Sequence, residues 1–293
     1  MRVFRLCPRG DNAPQSSGLR AQGGVGERRG REWSRAGALA VAIHSPIPAL
    51  AAGTLAKHDR GDFAQEFLRR NAAYRAAWTA ARDALRASEQ AESWDLAQPW
   101  GLVRMFDPDR AVRSAPALWR ANCASQIVSL APAPAGFAGG AALPDVAFLT
   151  DFAAPDGRHV VLDLGGMRHR LHVLTDAPAA PLAVLLPPLG DTLRAAACDA
   201  ARRMFAGLSV AEPASALRPS ALQRQRLALL LRVLDASLAG MSNREIGVRI
   251  VYPWLTGTAA LAWKSMSERR RVQRLVTEAC DLAGCGYRAL LRA

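Results

Sequence analysis

Three serine boxes of the form Ser-x-x-Glu or Ser-x-x-Gln occur in the last quarter of the chain, and each predicts the start of a helix. They are Ser220–Gln223, Ser242–Glu245 and Ser265–Glu268. In such a box the serine hydroxyl accepts a hydrogen bond from a free N–H of the first turn, and the side chain three residues later reciprocates. Three closely spaced helix starts restrict this part of the chain to a group of short, packed helices.

The pattern of apolar residues gives the lengths of these helices. The first is predicted over Ala221 to Leu238, with Gly240 just past its end. Its inward stripe consists of Leu227, Leu230, Leu231 and Leu234. The second, NREIGVRIV, turns Ile246 and Ile250 inward and is stopped by Pro253. A short extra helix is predicted over Ala259 to Lys264, before the third helix starts at Ser265.

The stretch SMSERRRVQRLVTEACDLAG predicts a third helix with two contrasting sides. On a helical wheel, its apolar stripe contains Val272, Leu275, Val276, Ala279 and Ala283. The opposite face holds Arg270, Gln273, Arg274 and Thr277, with Arg269 and Arg271 on the flanks. Arginine and glutamine in the centre can reach base edges, while flanking arginines suit phosphates. A helix that reads DNA needs this layout, although exposed arginines are also common on solvated helix faces.

The net charge supports a polyanionic partner. The chain carries +13 at neutral pH, almost wholly from arginine, and Lys57 and Lys264 are its two lysines. A composition in which arginine replaces lysine throughout the proteome would account for part of this, but not for the excess. Double-stranded DNA is therefore the first candidate partner, and Arg244 on the second helix is expected to contact its backbone.

The middle of the chain changes from a helical to an alternating pattern. The runs VAFLTDF, RHVVLDL, RHRLHVL and LAVLLP predict strands, and Gly165 with Gly166 predicts a hairpin turn between the second and third. A helix is predicted from Asp191 to Leu208, with Leu193, Ala197 and Met204 inward. The fold class is therefore α+β, with a small N-terminal helical domain, a middle β-hairpin module and a C-terminal helix-turn-helix-like helical domain.

The segment before the strands predicts two helices that meet near Asn71, a candidate N-cap. The first carries Phe63, Phe67 and Leu68, and the second carries Tyr74 and Trp78. A basic, glycine-rich opening over residues 1–55 predicts disorder. The apolar run from Ala36 to Gly53 is interrupted by prolines and too weak for a membrane span.

Other classes of site find little support. The five cysteines contain no C-x-x-C pair, which argues against a zinc site or a disulfide framework and favours a reducing cytoplasm. His169 and His172 should point to opposite faces of their strand, so they do not suit one metal ion, and with Asp163 they are expected at the surface. No phosphate loop or nucleophile motif occurs. We therefore predict no catalytic residues, no metal and no cofactor.

Several segments resemble two known families. LQRQRLALLLRVLDASLAGMSNREIGVRI, followed by SERRRVQRLVTEACDLAGCGYRALL, resembles the RovC-like DNA-binding domain. The hairpin RHVVLDLGGMRHRLHVL with LAVLLP is similar to the part that precedes these helices in that family. Upstream, FAQEFLRRNAAYRAAW, WGLVRMFDPDR and APALWR resemble a transcriptional-regulator-like domain. The resemblance covers roughly residues 60 to 293 and implies a bacterial transcription factor without enzymatic chemistry, associated with type VI secretion genes or with integrative conjugative elements.

These observations give a predicted domain order. It is a disordered basic segment over 1–55, a transcriptional-regulator-like helical domain over 56–130, a linker over 131–144, and a RovC-like DNA-binding domain over 145–293, with a β module at 145–210 and a helical part at 217–293. We expect a cytoplasmic, sequence-specific DNA-binding regulator, with a second copy of the chain and other regulators as further candidate partners. The alternative is an antiactivator that binds another transcription factor without touching DNA, using Tyr252, Trp254 and Trp263 as an aromatic anchor.

Overall fold

The computed structural model describes residues 55–87, 93–164, 166–175, 180–186, 190–210, 215–257 and 260–292. The disorder predicted for 1–55 falls almost entirely outside this range. The fold class is α+β, as predicted: N-terminal helices, a five-stranded sheet in the middle and a C-terminal helical region.

The first two N-terminal helices form where the apolar spacing predicts them, and a short third helix, which was not predicted, follows. They are α1 (Arg60–Leu68), α2 (Ala72–Ala87) and α3 (Ser93–Ala97), and a 3-10 turn follows at Gln98–Trp100. Asn71 caps α2 by accepting a hydrogen bond from the Tyr74 N–H at 3.0 Å, which confirms its predicted role. Asp59 and Asp62 form a reciprocal capping box at the start of α1.

The sheet contains β1 (Ile127–Pro132), β2 (Thr150–Ala154), β3 (Gly157–Leu164), β4 (Met167–Val173) and β5 (Leu182–Leu185). Its order is β2-β3-β4-β1-β5, with β1 parallel to β4 and antiparallel to β5. The predicted hairpin is confirmed, since Leu164 pairs with Met167 across the two-residue loop and Gly166 has a φ of 74°. Strand β1 was not predicted from the sequence, and it runs into the first residues of the predicted linker.

Both faces of β4 are covered, although its sequence is polar. Leu162 of β3 and Leu171 of β4 pack against α4 (Thr192–Phe205), which forms as predicted, with Leu193, Ala197 and Met204 buried. The other face carries Arg168 and Arg170, which pair with the carboxylates of Asp59 and Asp62 at the start of α1. The expectation that His169 and His172 lie at the surface is therefore wrong, since both are buried.

The C-terminal helices are α5 (Ala221–Leu238), α6 (Asn243–Ile246), α7 (Ala260–Ser265), α8 (Ser267–Asp281) and α9 (Tyr287–Leu290). A π-helical turn, Gly247–Val251, extends α6, and a second one, Leu282–Gly286, joins α8 to α9. The capping boxes predicted at Ser220 and Ser242 both form, and the predicted extra helix corresponds to α7. Residues 252–266 separate the first π turn from α8, and this connection is longer than the turn of a compact helix-turn-helix.

One apolar core joins the N-terminal helices to the C-terminal ones. Phe63, Phe67 and Tyr74 belong to the same buried cluster as Leu230 of α5 and Val272 of α8. All residues of α1 from Gly61 to Leu68 are buried. The segments predicted as separate N-terminal and C-terminal domains therefore pack as one unit around α1.

Candidate nucleic-acid interface

Helix α8 begins two residues later than the sequence predicts. Its N-cap is Met266, which contributes no side-chain hydrogen bond, and its first residue is Ser267. Ser265 is instead the last residue of α7, where its hydroxyl donates to the Ala262 carbonyl at 2.9 Å. The predicted box between Ser265 and Glu268 is therefore wrong, because a serine inside one helix cannot cap the next from an extended conformation.

The apolar side of α8 faces the protein, as the helical wheel predicts. Val272, Leu275 and Ala279 are buried in the core shared with α5, and Ala283 in the following π turn is buried beside them. Asn71 fixes the end of this helix, since its side-chain amide donates to the carbonyls of Ala283 and Gly284 at 2.8 and 3.2 Å. These hydrogen bonds from Asn71, at the start of α2, help to fix the orientation of α8 and of its outer face.

The outer face of α8 is open and basic over its first half. Arg269, Arg270, Arg271, Gln273 and Arg274 are exposed, and Thr277 is half-buried. Within the described residues, the guanidinium groups of Arg270, Arg271 and Arg274 have no carboxylate within ion-pair distance and no hydrogen-bond partner. Their positive charge is therefore not neutralised within the part of the chain that the structure describes.

Arg269 differs from its neighbours because its guanidinium is already anchored. Its Nη1 donates to the carbonyl of Lys264, the penultimate residue of α7, at 3.1 Å. This bond stabilises the corner between α7 and α8 and holds the positive charge beside the start of α8. A guanidinium has five N–H donors, so one such bond leaves Arg269 able to contact a phosphate as well.

The second half of α8 is acidic in character. Glu278 pairs with Arg226 of α5 at 2.7 Å, and Asp281 is exposed at the last residue of the helix. These acids line the same open groove as Arg270, Gln273 and Arg274. The open side of α8 is therefore basic in its first half and acidic in its second half.

Helix α6 adds a second group of cations. Arg244 is exposed in its only turn, and Arg249 is exposed in the π turn that follows. Two hydrogen bonds from Ser242 hold the pKa of Glu245 below its ordinary value, and the charges of Arg249 and Arg244 lower it further. Arg244 was named from the sequence as a candidate contact, whereas Arg249, which lies in the π turn, was not.

The three aromatic residues near the connection have different environments. Trp263 is buried, and it lies so close to Gly247 that a β-carbon there would come within 2.5 Å of the indole ring. Trp254 is 75% exposed and makes an edge contact with Tyr252 at 5.4 Å between ring centroids. Trp263 is therefore a core residue, and Trp254 is available at the surface.

Two segments of the chain match known protein families. Residues 177–292 match the family model described as the type VI secretion transcription factor, DNA-binding domain, of the RovC-like family. Over these residues the chain is similar to the RovC-like DNA-binding domain. Residues 49–103 match the proteobacterial transcriptional regulator-like domain, which precedes it as the resemblance in the sequence implied. No curated protein sequence matches the chain.

The RovC-like match contains β5 and every helix from α4 to α9, including the open face of α8. The two matched domains indicate a transcriptional regulator with a DNA-binding domain, and they point to a non-enzymatic protein. Strands β1 to β4 lie between the two matches. None of the helices that the structure describes is long and apolar enough to cross a bilayer.

Proposed function

We propose that the protein is a sequence-specific DNA-binding regulator whose RovC-like domain places the first half of α8 in the major groove. The observation that carries this proposal is the open face of Arg270, Gln273 and Arg274, which lies within a DNA-binding domain and meets no carboxylate partner in the described residues. Arginine can bond two acceptors of guanine at once, and glutamine can do so with adenine. These side chains are therefore assigned to bases.

The flanking cations are assigned to the DNA backbone. Arg269 and Arg271 lie on either side of the central face, and Arg244 with Arg249 extends the positive charge onto α6. Recognition helices of related architecture place their N-terminal residues at base edges, while a neighbouring helix crosses the backbone. Thr277 is the last proposed contact, because Glu278 and Asp281 turn the rest of the helix acidic.

A double substitution tests the central assignment. Arg270→Ala with Arg274→Ala should weaken binding to a cognate fragment about 30-fold or more, since each base-reading arginine contributes about 1–3 kcal/mol. Fluorescence anisotropy with a labelled fragment gives the dissociation constant, and a scrambled fragment of equal length separates specific from non-specific binding. Circular dichroism establishes that the variant is folded.

The matched control removes the same charge elsewhere. Arg110 is exposed in a loop after α3, and Arg202 is exposed on α4, so Arg110→Ala with Arg202→Ala also lowers the net charge by two. This control should weaken specific and scrambled fragments by the same small factor. Equal affinity losses in the two double variants would remove α8 from the mechanism.

Type VI secretion genes and genes of integrative conjugative elements are the proposed targets, on the strength of the family description and of the resemblance. Sequencing of genomic fragments retained by the purified protein tests this assignment. We expect enrichment of fragments upstream of such genes. A set of fragments without a shared motif would contradict sequence-specific recognition.

A second candidate function is supported by the exposed indole of Trp254. A large aromatic side chain with 75% exposure, beside Tyr252, is a typical anchor for a protein partner. In this alternative the protein acts as an antiactivator that binds another regulator. Substitution of Trp254 by alanine would then abolish regulation without changing DNA affinity, whereas the arginine variants would leave regulation intact.

A further inference from the structure

A histidine pair and one carboxylate converge on β3 and β4, next to the turn between β2 and β3. His159 of β3 lies directly opposite His172 of β4, and the two imidazole rings are stacked with 4.3 Å between centroids and 9° between planes. Asp156 occupies the turn before β3. Its Oδ1 lies 2.8 Å from Nε2 of His159 and its Oδ2 lies 3.8 Å from Nε2 of His172. The main-chain carbonyl oxygen of Asp156 is the hydrogen-bond partner of that second nitrogen, at 2.9 Å.

We propose that Asp156, His159 and His172 form a binding site for a first-row transition-metal dication, with Zn²⁺ as the preferred ion. One ligand atom from each residue lies within 4.8 Å of the other two. Zinc binds imidazole nitrogen at about 2.0–2.1 Å and carboxylate oxygen at about 2.0–2.2 Å, so tetrahedral ligand atoms are roughly 3.3 Å apart. The ligand atoms therefore have to approach one another when an ion binds, and the two imidazoles have to turn out of their parallel stack so that both nitrogen lone pairs point at the ion.

The donor set selects the class of metal. Two imidazole nitrogens and one carboxylate oxygen suit zinc, copper, nickel or ferrous iron, and they disfavour calcium and magnesium, which prefer oxygen ligands alone. Three protein ligands leave one tetrahedral position for water or a partner's side chain. The carboxylate is the exposed member of the group, and the imidazoles lie beneath it, so the ion enters from the side of Asp156.

The backbone around the site is already fixed in the required conformation. Gly157, directly after Asp156, has a φ of 127°, which residues with a β-carbon rarely adopt. A β-carbon at this position would lie 2.4 Å from the Val173 carbonyl oxygen and 3.3 Å from Nε2 of His172. The turn therefore sits close against the end of β4, and the aspartate is held above the histidine pair. Little conformational entropy remains to be lost when an ion binds.

One nearby charge opposes binding. The guanidinium of Arg120 lies close enough to His159 to disfavour a second positive charge there, while the carboxylate of Asp156 favours it. With three ligands and one opposing cation, we expect a dissociation constant in the micromolar range rather than the much tighter values of four-ligand structural sites. A bound ion would link the turn between β2 and β3 to β4. This site is far in the sequence from the arginines of α8.

The test uses the full chain without a polyhistidine tag, stripped of metal by a chelator that is then removed. Isothermal titration calorimetry with ZnCl₂ should give one ion per chain. The melting temperature should also rise with zinc, because an ion at about 100 times its dissociation constant adds about 2.7 kcal/mol to the free energy of unfolding. CaCl₂ and MgCl₂ at equal concentrations should leave the melting temperature unchanged.

Two variants and one control assign the binding to these residues. Asp156→Asn and His172→Asn should each lower zinc affinity at least tenfold, and the first changes a partly exposed side chain of equal size, so it should fold. His169→Gln is the matched control, because it lies on the same strand but on the opposite face, and it should keep wild-type affinity. The free cysteines could bind zinc in every variant alike, so only the difference between variants counts.

Equally tight zinc binding in wild type, Asp156→Asn and His172→Asn would overturn the proposal. The absence of saturable binding below about 1 mM zinc would overturn it too, because a dissociation constant of that size corresponds to a binding free energy of only about 4 kcal/mol. In either case Asp156 would serve solely as a hydrogen-bond acceptor that orients the two imidazoles. Selective loss of a 1:1 isotherm in both variants, with His169→Gln unaffected, would establish the site.

Discussion

The guanidinium of Arg70 donates two hydrogen bonds to the carboxylate of Asp235, from Nε to Oδ1 at 2.5 Å and from Nη2 to Oδ2 at 3.0 Å. Arg70 follows α1 in the regulator-like domain, and Asp235 lies on α5 of the RovC-like domain. A third group, the carboxylate of Glu66, accepts from Nη1 of the same arginine at 2.6 Å. One buried cation therefore connects the two matched domains.

Loss of this cation should destabilise the whole protein. Arg70→Ala removes the shortest ion-pair contact of the buried Glu66 carboxylate, and removal of one member of a buried pair costs about 3–5 kcal/mol. Urea denaturation followed by circular dichroism measures this loss of the free energy of unfolding. Arg202→Ala, which breaks an exposed pair with Asp199, should cost less than about 1 kcal/mol. A cost below about 1 kcal/mol for Arg70→Ala would contradict the bridging role.

The RovC-like domain should not fold stably as an isolated fragment. Residues 177–292 contain α5 and α8 but lack α1, whose phenylalanines complete their core, and they lack four of the five strands. We expect the fragment to unfold without a cooperative transition in urea and to bind a hydrophobic dye, while residues 55–293 unfold cooperatively. A sharp transition and full helix content in the fragment would show that the domain is independent of α1.

The two serines treated alike in the sequence should behave differently. Ser242→Ala removes a capping box that the structure contains, so it should lower the free energy of unfolding by about 1 kcal/mol. Ser265→Ala removes only a hydroxyl bonded to the preceding turn of α7, so its effect should lie within about 0.5 kcal/mol. Chemical denaturation of both variants gives this comparison, and equal losses would mean that Ser265 caps α8 after all.

The C-terminal helices could be predicted because their signals are local. The apolar stripe of α5, the capping box at Ser220 and the two-sided pattern of α8 all lie within one or two turns of sequence. The same holds for the exposure of Arg270 and its neighbours, which follows from the wheel alone. The hairpin between β3 and β4 was equally accessible, because its loop contains two glycines.

The interactions that could not be predicted join residues far apart in the sequence. Arg168 and Arg170 are buried because Asp59 and Asp62, more than a hundred positions earlier, neutralise them, and no local pattern indicates such a pairing. Strand β1 was missed for a similar reason, since its parallel partner β4 lies some forty residues away along the chain. The pairing of the two histidines could have been predicted from the sequence. A two-residue hairpin loop fixes the register and places His159 opposite His172.

Salt dependence should report the number of phosphate contacts. If each of the four arginines assigned to the backbone neutralises one phosphate, the slope of log affinity against log salt should be about −3.6. They are Arg244, Arg249, Arg269 and Arg271. Arg271→Ala should make that slope shallower by about 0.9 and weaken cognate and scrambled fragments equally. Anisotropy titrations at several salt concentrations measure both quantities. A slope near zero would instead favour the antiactivator function, in which Trp254 contacts a protein.

Mild acid should destabilise the protein through His169. Burial lowers the pKa of this imidazole from 6.5 to about 4, an effect that the charge of Asp163 only partly offsets. Its Nε2 has no hydrogen-bond partner among the described residues. Between these two pH values the unfolded chain binds a proton that the folded chain does not, so stability falls as the pH is lowered from 6.5 and the loss is complete near pH 4. At 1.36 kcal/mol for each unit of pKa shift, the total loss is at most about 3 kcal/mol.

His169→Leu separates this effect from the titration of other groups. The substitution removes the titrating group but keeps a side chain of similar size in the apolar layer against α4. The loss of free energy of unfolding between pH 6.5 and 4 should therefore be smaller in the variant by up to about 3 kcal/mol. Two carboxyl groups also titrate in acid. Arg170 holds the pKa of Asp59 below its ordinary value, and a hydrogen bond with His58 and the charge of Arg70 do the same for Glu66. Their contribution to the free energy of unfolding is lost at lower pH in wild type and variant alike. Urea denaturation at half-unit pH steps measures both curves. Parallel curves over that interval would show that His169 takes up its proton in the folded state as readily as in the unfolded chain.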